Sequence, residues 1–171
     1  LGRDLLSRLL YGARISLLVA GLAMTVSLAV GGAVGFTAAA AGGAVDRALM
    51  TITDAALMFP RLVLLLVLVA LSRPSLGLVV LVLGFTGWMG IARLARAEAA
   101  AILARPYVDA ARALGQTRFA VILRHVVPNA LTPLIVASSL GVGNAITLEA
   151  GLSFLGLGVP APAPSWGNLI A

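Results

Sequence analysis

From Ile15 to Ala41 the chain runs for 27 residues without one charged side chain. At ~1.5 Å of rise per residue, a helix of that length more than covers the ~30 Å of hydrocarbon in a bilayer. Lipid offers no hydrogen bonds to the backbone, so a stretch like this is stable there only as a helix that satisfies its own N–H and C=O groups. Three more apolar runs follow, at about 47–71, 76–92 and 126–148. The expected fold is therefore all-α, a polytopic transmembrane helical bundle with about four full spans.

Composition narrows the function classes. The chain is 61% hydrophobic and 11% charged, with mean hydropathy +1.09, more apolar surface than a soluble core of this length needs. The net charge of +6 comes with twelve Arg and no Lys, which fits nucleic-acid binding or the positive-inside bias of membrane proteins. Hydropathy favours the second, and no nucleic-acid partner is expected. Without Cys there is no disulfide or thiol chemistry, and a single His125 cannot build a histidine metal site. A P-loop needs a lysine to reach the β/γ-phosphates, so no ordinary nucleotide-hydrolysing site is expected on this chain, nor any cofactor or metal.

The spans carry internal punctuation. Gly31 and Gly35 in the first have the small-xxx-small spacing that lets a neighbouring helix backbone come close. The second is interrupted by Asp54 and by Phe59, Pro60 and Arg61, and a kink is expected there. Asp54 and Arg61 are ionisable groups inside a span, which usually face a cavity or a partner. Either Arg61 lines a pathway and steers a carboxylate, or the two form an intramembrane ion pair. The third span continues as a helix through "RLARAEAAAILAR". Residues 149–171 are too short and too rich in Gly and Pro for a crossing, and read as a re-entrant or surface hairpin. Glu149 at its start is expected to pair with Arg3 or Arg14; Trp88 and Trp166 suit interface anchoring or packing, and His125 packing or an interfacial role.

Half of the arginines, Arg93, Arg96, Arg105, Arg112, Arg118 and Arg124, lie in residues 93–125, against only Glu98 and Asp109. That loop is expected to be cytoplasmic. Counting back places Arg3, Arg8 and Arg14 outside, against the same rule; the denser cluster decides.

Within the loop, "YVDAARALGQTRFAVILRHVVPNALTPLIV" (107–136) reads as two helices with a hinge. Pro106 suits the first turn of a helix, Gly115 the positive-φ position after its end, and Thr117 the cap of a second. Phe119, Val121, Ile122 and Val126 offer apolar contacts at helical spacing. Ala110, Ala111 and Ala113 give the first helix a low-profile surface, with Asp109 and Arg112 available to a partner's groove.

That stretch resembles the EAA loop of ABC-importer permeases. It has the alanine pair Ala110 and Ala111, the glycine four residues after the second, Gly115, and a proline thirteen further on, Pro128. Asp109 stands where the family usually has Glu, and His125 and Val127 where the general pattern has Ile and Leu; the "RH" before the proline is similar to the peptide-transporting branch. "GRDLLSRLLYGARISL" and "EAGLSFLGLGVPAPAPSWGNLI" resemble the start and the extracellular loop of dipeptide, oligopeptide and nickel permeases.

The resemblance implies a single permease domain over 1–171, part of a unit of about six spans whose first and last lie outside this sequence. It implies that 93–125 is a cytoplasmic coupling loop, with Asp109, Ala110, Ala111, Arg112 and Gly115 docking on an ATPase, and that 149–171, with Glu149, Trp166 and Gly167, is a structural extracellular loop. The partners it implies are a second permease subunit, two ATP-binding subunits or domains carrying ATP and Mg, a periplasmic or extracellular substrate-binding protein, and membrane lipid. The location it implies is the bacterial cytoplasmic (inner) membrane, and the cargo first of all peptides, with nickel chelates and glutathione-like solutes as the other solutes of these branches. The alternative is a secondary transporter or channel subunit driven by an ion gradient.

Overall fold

The computed structural model describes residues 5–71, 75–159 and 165–170. Among them the ordered elements are all helical: α1 (Leu5–Ala41), α2 (Gly43–Leu57), α3 (Arg61–Ala70), α4 (Leu76–Phe85), α5 (Trp88–Leu103), α6 (Pro106–Ala113), α7 (Arg118–Val121), α8 (Val127–Phe154) and α9 (Trp166–Ile170). Residues 122–126 form a widened π turn that joins α7 to α8 without a gap. Two helical stretches, Leu5–Ala41 and Arg118–Phe154, are each long and apolar enough to cross a membrane; counting the broken pairs α2 with α3 and α4 with α5 as single spans raises that to four.

Local chemistry accounts for the breaks. The first helix already includes "LLSRLLYGAR", ahead of the uncharged run. The second span does break at the proline: Pro60, with ψ 114°, precedes α3, whereas Asp54 sits undisturbed inside α2. The third span was expected to be continuous and is not. Thr86 and Gly87 part α4 from α5, and the Thr86 hydroxyl donates to the Val82 carbonyl at 2.8 Å, one turn back. Pro128 has no N–H and its ring crowds the carbonyl four residues earlier. The π turn lies just ahead of it, with the Val127 N–H reaching back five residues to Ile122 O. The expected re-entrant segment is also displaced, since α8 runs on to Phe154 and takes Glu149 into a regular helix. Residues 160–164 of that segment lie outside the described residues.

The described residues group into two compact units, drawn from 1–26, 59–87 and 139–171 and from 27–58 and 88–138. In the first, Val19, Leu65, Val69, Val79 and Leu83 are buried together. In the second, Ala99, Ile102, Val108, Val121, Ile122, Val126 and Ala130 form the core. In lipid, tails are as apolar as leucine, so helices associate through close van der Waals packing. Gly31 and Gly35 illustrate this within the second unit. A Cβ on Gly31 would lie 2.5 Å from Trp88 O and 2.8 Å from Ile91 Cβ, and one on Gly35 would meet Ala92 O and stand 2.7 Å from Ala95 Cβ. The small-xxx-small pair is where the α5 backbone comes against α1.

Candidate functional site

The hinge bracket forms as its punctuation dictates. Arg105 is extended (ψ 141°), as a residue before proline prefers, and Pro106 opens α6. Gly115 takes φ 84°, its N–H donates to Arg112 O at 2.9 Å, and the Gln116 N–H reaches Ala111 O at 3.1 Å. These two bonds close the helix in the Schellman pattern. Thr117 then caps α7, its hydroxyl accepting from the Ala120 N–H at 3.3 Å.

The faces of α6 differ from the expected one. Val108 and Ala111, three residues apart, are both buried, Val108 within the second unit's core. Ala111 therefore holds α6 to its own chain, while Asp109, Ala110, Arg112 and Ala113 are exposed. Leu114, which the sequence did not single out, is 86% exposed at the tip. Arg112 Nη1 lies 3.4 Å from Asp109 Oδ1, so these two meet each other on the outer face. Val121, Ile122 and Val126 pack inward as expected, but Phe119 is 73% exposed. His125 is anchored by Gln116, Nε2 to Oε1 at 3.1 Å, with the Tyr107 ring 6.1 Å away.

The intramembrane charges take other partners than each other. Asp54 lies 3.7 Å from Arg93, both well exposed. Arg61 donates from Nη2 to Leu83 O at 3.2 Å and from Nε to Thr86 Oγ1 at 3.3 Å. It therefore caps the broken carboxyl end of α4, where freed carbonyls attract a cation. The break at Pro60, expected from the sequence as a kink, sets Asp54 in α2 apart from Arg61 at the start of α3.

Glu149 is fully buried, yet among the described residues no ion pair reaches it, and Arg14 is exposed; Arg3 lies outside the described residues. Three serine hydroxyls take the place of the expected arginine. Ser153 and Ser165 donate to Oε1 at 2.8 and 3.0 Å, and Ser16 donates to Oε2 at 3.3 Å. Ser16 in turn accepts from the Trp166 N–H at 3.0 Å, and Ser165 from the Asn168 N–H at 3.2 Å. The Trp166 indole donates to Leu9 O at 3.1 Å. Gly167 is buried against α8, where a Cβ would lie 2.6 Å from Ser153 Cβ. One carboxylate thus fastens α9 to both α1 and α8 through hydroxyls too ordinary in a sequence to mark as its partners.

The chain is similar in sequence to several permeases. A Brucella ovis protein named as a peptide permease is 40% identical over 169 residues, covering 99% of this chain and 56% of its own length. The dipeptide transport system permease protein DppC of Bacillus subtilis is 39% identical over 167 residues, 98% of this chain and 52% of its own. DppC of Alkalihalophilus pseudofirmus is 36% identical over 170 residues, 99% and 56%. The chain spans little more than half the length of these relatives. Residues 31–171 match the sequence model of one family, a span that takes in the Gly31 packing site, the hinge bracket and the serine-bound Glu149, and so the chain belongs to the binding-protein-dependent transport system inner membrane components.

Proposed function

We propose that this chain is the translocation subunit of an ATP-driven ABC importer for di- or oligopeptides. The observation that carries the reading is the bracket at 106–126, a short helix held by Val108 and Ala111 that turns Asp109, Ala110, Arg112 and Leu114 outward. Such a helix fits into a groove on another protein as a lever, and motion of that protein would tilt the long helix running from Arg118 to Phe154. The energy source lies on a partner in this reading, because a chain without lysine has no ordinary P-loop. ATP and Mg belong to two ATP-binding subunits, a second permease subunit completes the pathway, and a binding protein delivers the solute. The relatives' names, peptide permease and dipeptide transport permease, favour peptide over a nickel chelate or a glutathione-like solute.

The test is uptake of labelled dipeptide into proteoliposomes holding the assembled transporter. Uptake that requires ATP and the binding protein is expected. Uptake driven by an ion gradient in the absence of nucleotide would overturn the reading in favour of a secondary transporter.

A further inference from the structure

The last turns of α1 and the start of α7 border two adjoining hollows, which share only Arg112 with the coupling face of α6. One is a groove of about 420 Å³ lined by Phe36, Ala40, Phe119 and Ile122 together with Arg118. The other is a hollow of about 290 Å³ that also touches Ala40, Arg118 and Ile122 and adds Leu103, Val121 and Arg112. Arg118 belongs to both.

We propose that this pair of hollows binds an anionic phospholipid, its acyl chain along Phe36 and Phe119 and its phosphate against Arg118 and Arg112.

Three observations converge on an amphiphile. Among the described residues no hydrogen bond or ion pair reaches the Arg118 guanidinium, although Asp46, Asp54 and Asp109 each have an arginine partner. Phe119 sits beside it with 73% of its surface exposed, in the first turn of a helix that is long and apolar enough to cross a membrane. An exposed phenyl ring there is costly in water and at ease at the lipid boundary. The charge and the apolar trough are also contiguous, since Arg118 lines both hollows and shares one of them with Phe36 and Phe119. An acidic protein side chain or free phosphate would use the arginines and leave the trough empty.

The electrostatics assign the roles within the site. The last turn of α1 brings to this rim a partial negative charge of about half an electron, and Asp109 at 3.4 Å takes up part of the Arg112 charge. Arg118 is therefore the principal anchor and Arg112 the lesser one, and the rim keeps a net positive charge. Basic pockets between membrane helices are known sites for anionic headgroups.

Native mass spectrometry of the assembled transporter in detergent tests this, with phosphatidylglycerol and phosphatidylcholine of identical acyl chains as probes. Phosphatidylglycerol should be retained in preference. Arg118→Gln should lower that retention about fivefold, Arg118→Lys should recover most of it, and phosphatidylcholine should be unaffected by either. Phe119→Ser should weaken both lipids. Equal retention of the two lipids by the native complex, or phosphatidylglycerol unmoved by Arg118→Gln, overturns the proposal. So does loss of an ATP-binding subunit from Arg118→Gln with lipid unchanged, which would assign the groove to protein. Should that variant fail to assemble, a salt titration of the native complex decides. Phosphatidylglycerol released well before phosphatidylcholine supports the site, and parallel release contradicts it.

Discussion

Arg96 holds Asp46 by two side-by-side hydrogen bonds, Nε to Oδ1 at 3.1 Å and Nη2 to Oδ2 at 2.6 Å. This fork joins α5 to α2 across fifty residues of sequence. The Arg96 and Asp46 side chains keep 42% and 16% of their surface exposed, so solvent screens the pair and its contribution is about 1 kcal/mol. Asp46→Ala is expected to lower the thermal midpoint in detergent by about 2–4 °C. Because the lysine ammonium has no fork, Arg96→Lys should recover little of the loss. A lysine variant as stable as the native chain would show that charge alone, and not the paired geometry, joins these helices.

Gly35 faces the α5 backbone so closely that any Cβ would meet Ala92 O. Backbone on both sides cannot yield as a flexible side chain can. Gly35→Ala is expected to destabilise by about 2 kcal/mol or more, whereas Gly90→Ala, where a Cβ meets nothing within 4 Å, should be neutral or mildly stabilising. Thermal unfolding of the two variants side by side checks this, and equal midpoints would remove the close helix approach from the account.

Glu149→Ala leaves three serine hydroxyls without their acceptor in a buried site. Losing these three bonds should cost about 3 kcal/mol. Glu149→Gln keeps one acceptor oxygen and should cost about half as much. The indole of Trp166 reports the site directly, since its backbone N–H hangs on Ser16. In a Trp88→Phe background, Glu149→Ala should shift Trp166 emission and Glu149→Gln should shift it less. Unchanged emission in both would mean that the carboxylate does not fasten α9.

The two alanines of the bracket should separate folding from docking. Ala111 is buried at 6% exposure, so Ala111→Leu pushes α6 off its own core and should cost about 1–3 kcal/mol of stability. Ala110 is exposed, so Ala110→Leu should leave the melting temperature unchanged while reducing co-purification of the ATP-binding subunits. If the two variants behaved alike in both measurements, the assignment of inner and outer faces would be wrong.

What the sequence made legible follows from range. Pro60, Pro106, Gly115 and Thr117 act on their own neighbours, and each break, start, stop and cap they announce is present. Gly31 and Gly35 signalled a close helix approach through their spacing, though not that α5 would fill it. Partner choice over long separations was hidden. Nothing in the apolar pattern matched Arg61 to Thr86, Asp54 to Arg93 or Glu149 to Ser16, because many arrangements of the helices would bury the same apolar faces. The break at Thr86 and Gly87 did leave a signal, in the cluster "GFTGW", which hydropathy averaged away. Helical phase alone would have turned Phe119 inward, yet the cap at Thr117 sets the angle at which α7 begins and leaves that ring outside.

In the proposed coupling, the outer face of α6 meets the motor of the transporter. A photoreactive amino acid at Ala110 in the assembled complex, irradiated in membranes and followed by identification of the captured chain, tests that contact directly. Capture of an ATP-binding subunit is predicted. No adduct with that subunit, or capture of a protein from the outer side of the membrane, would contradict it.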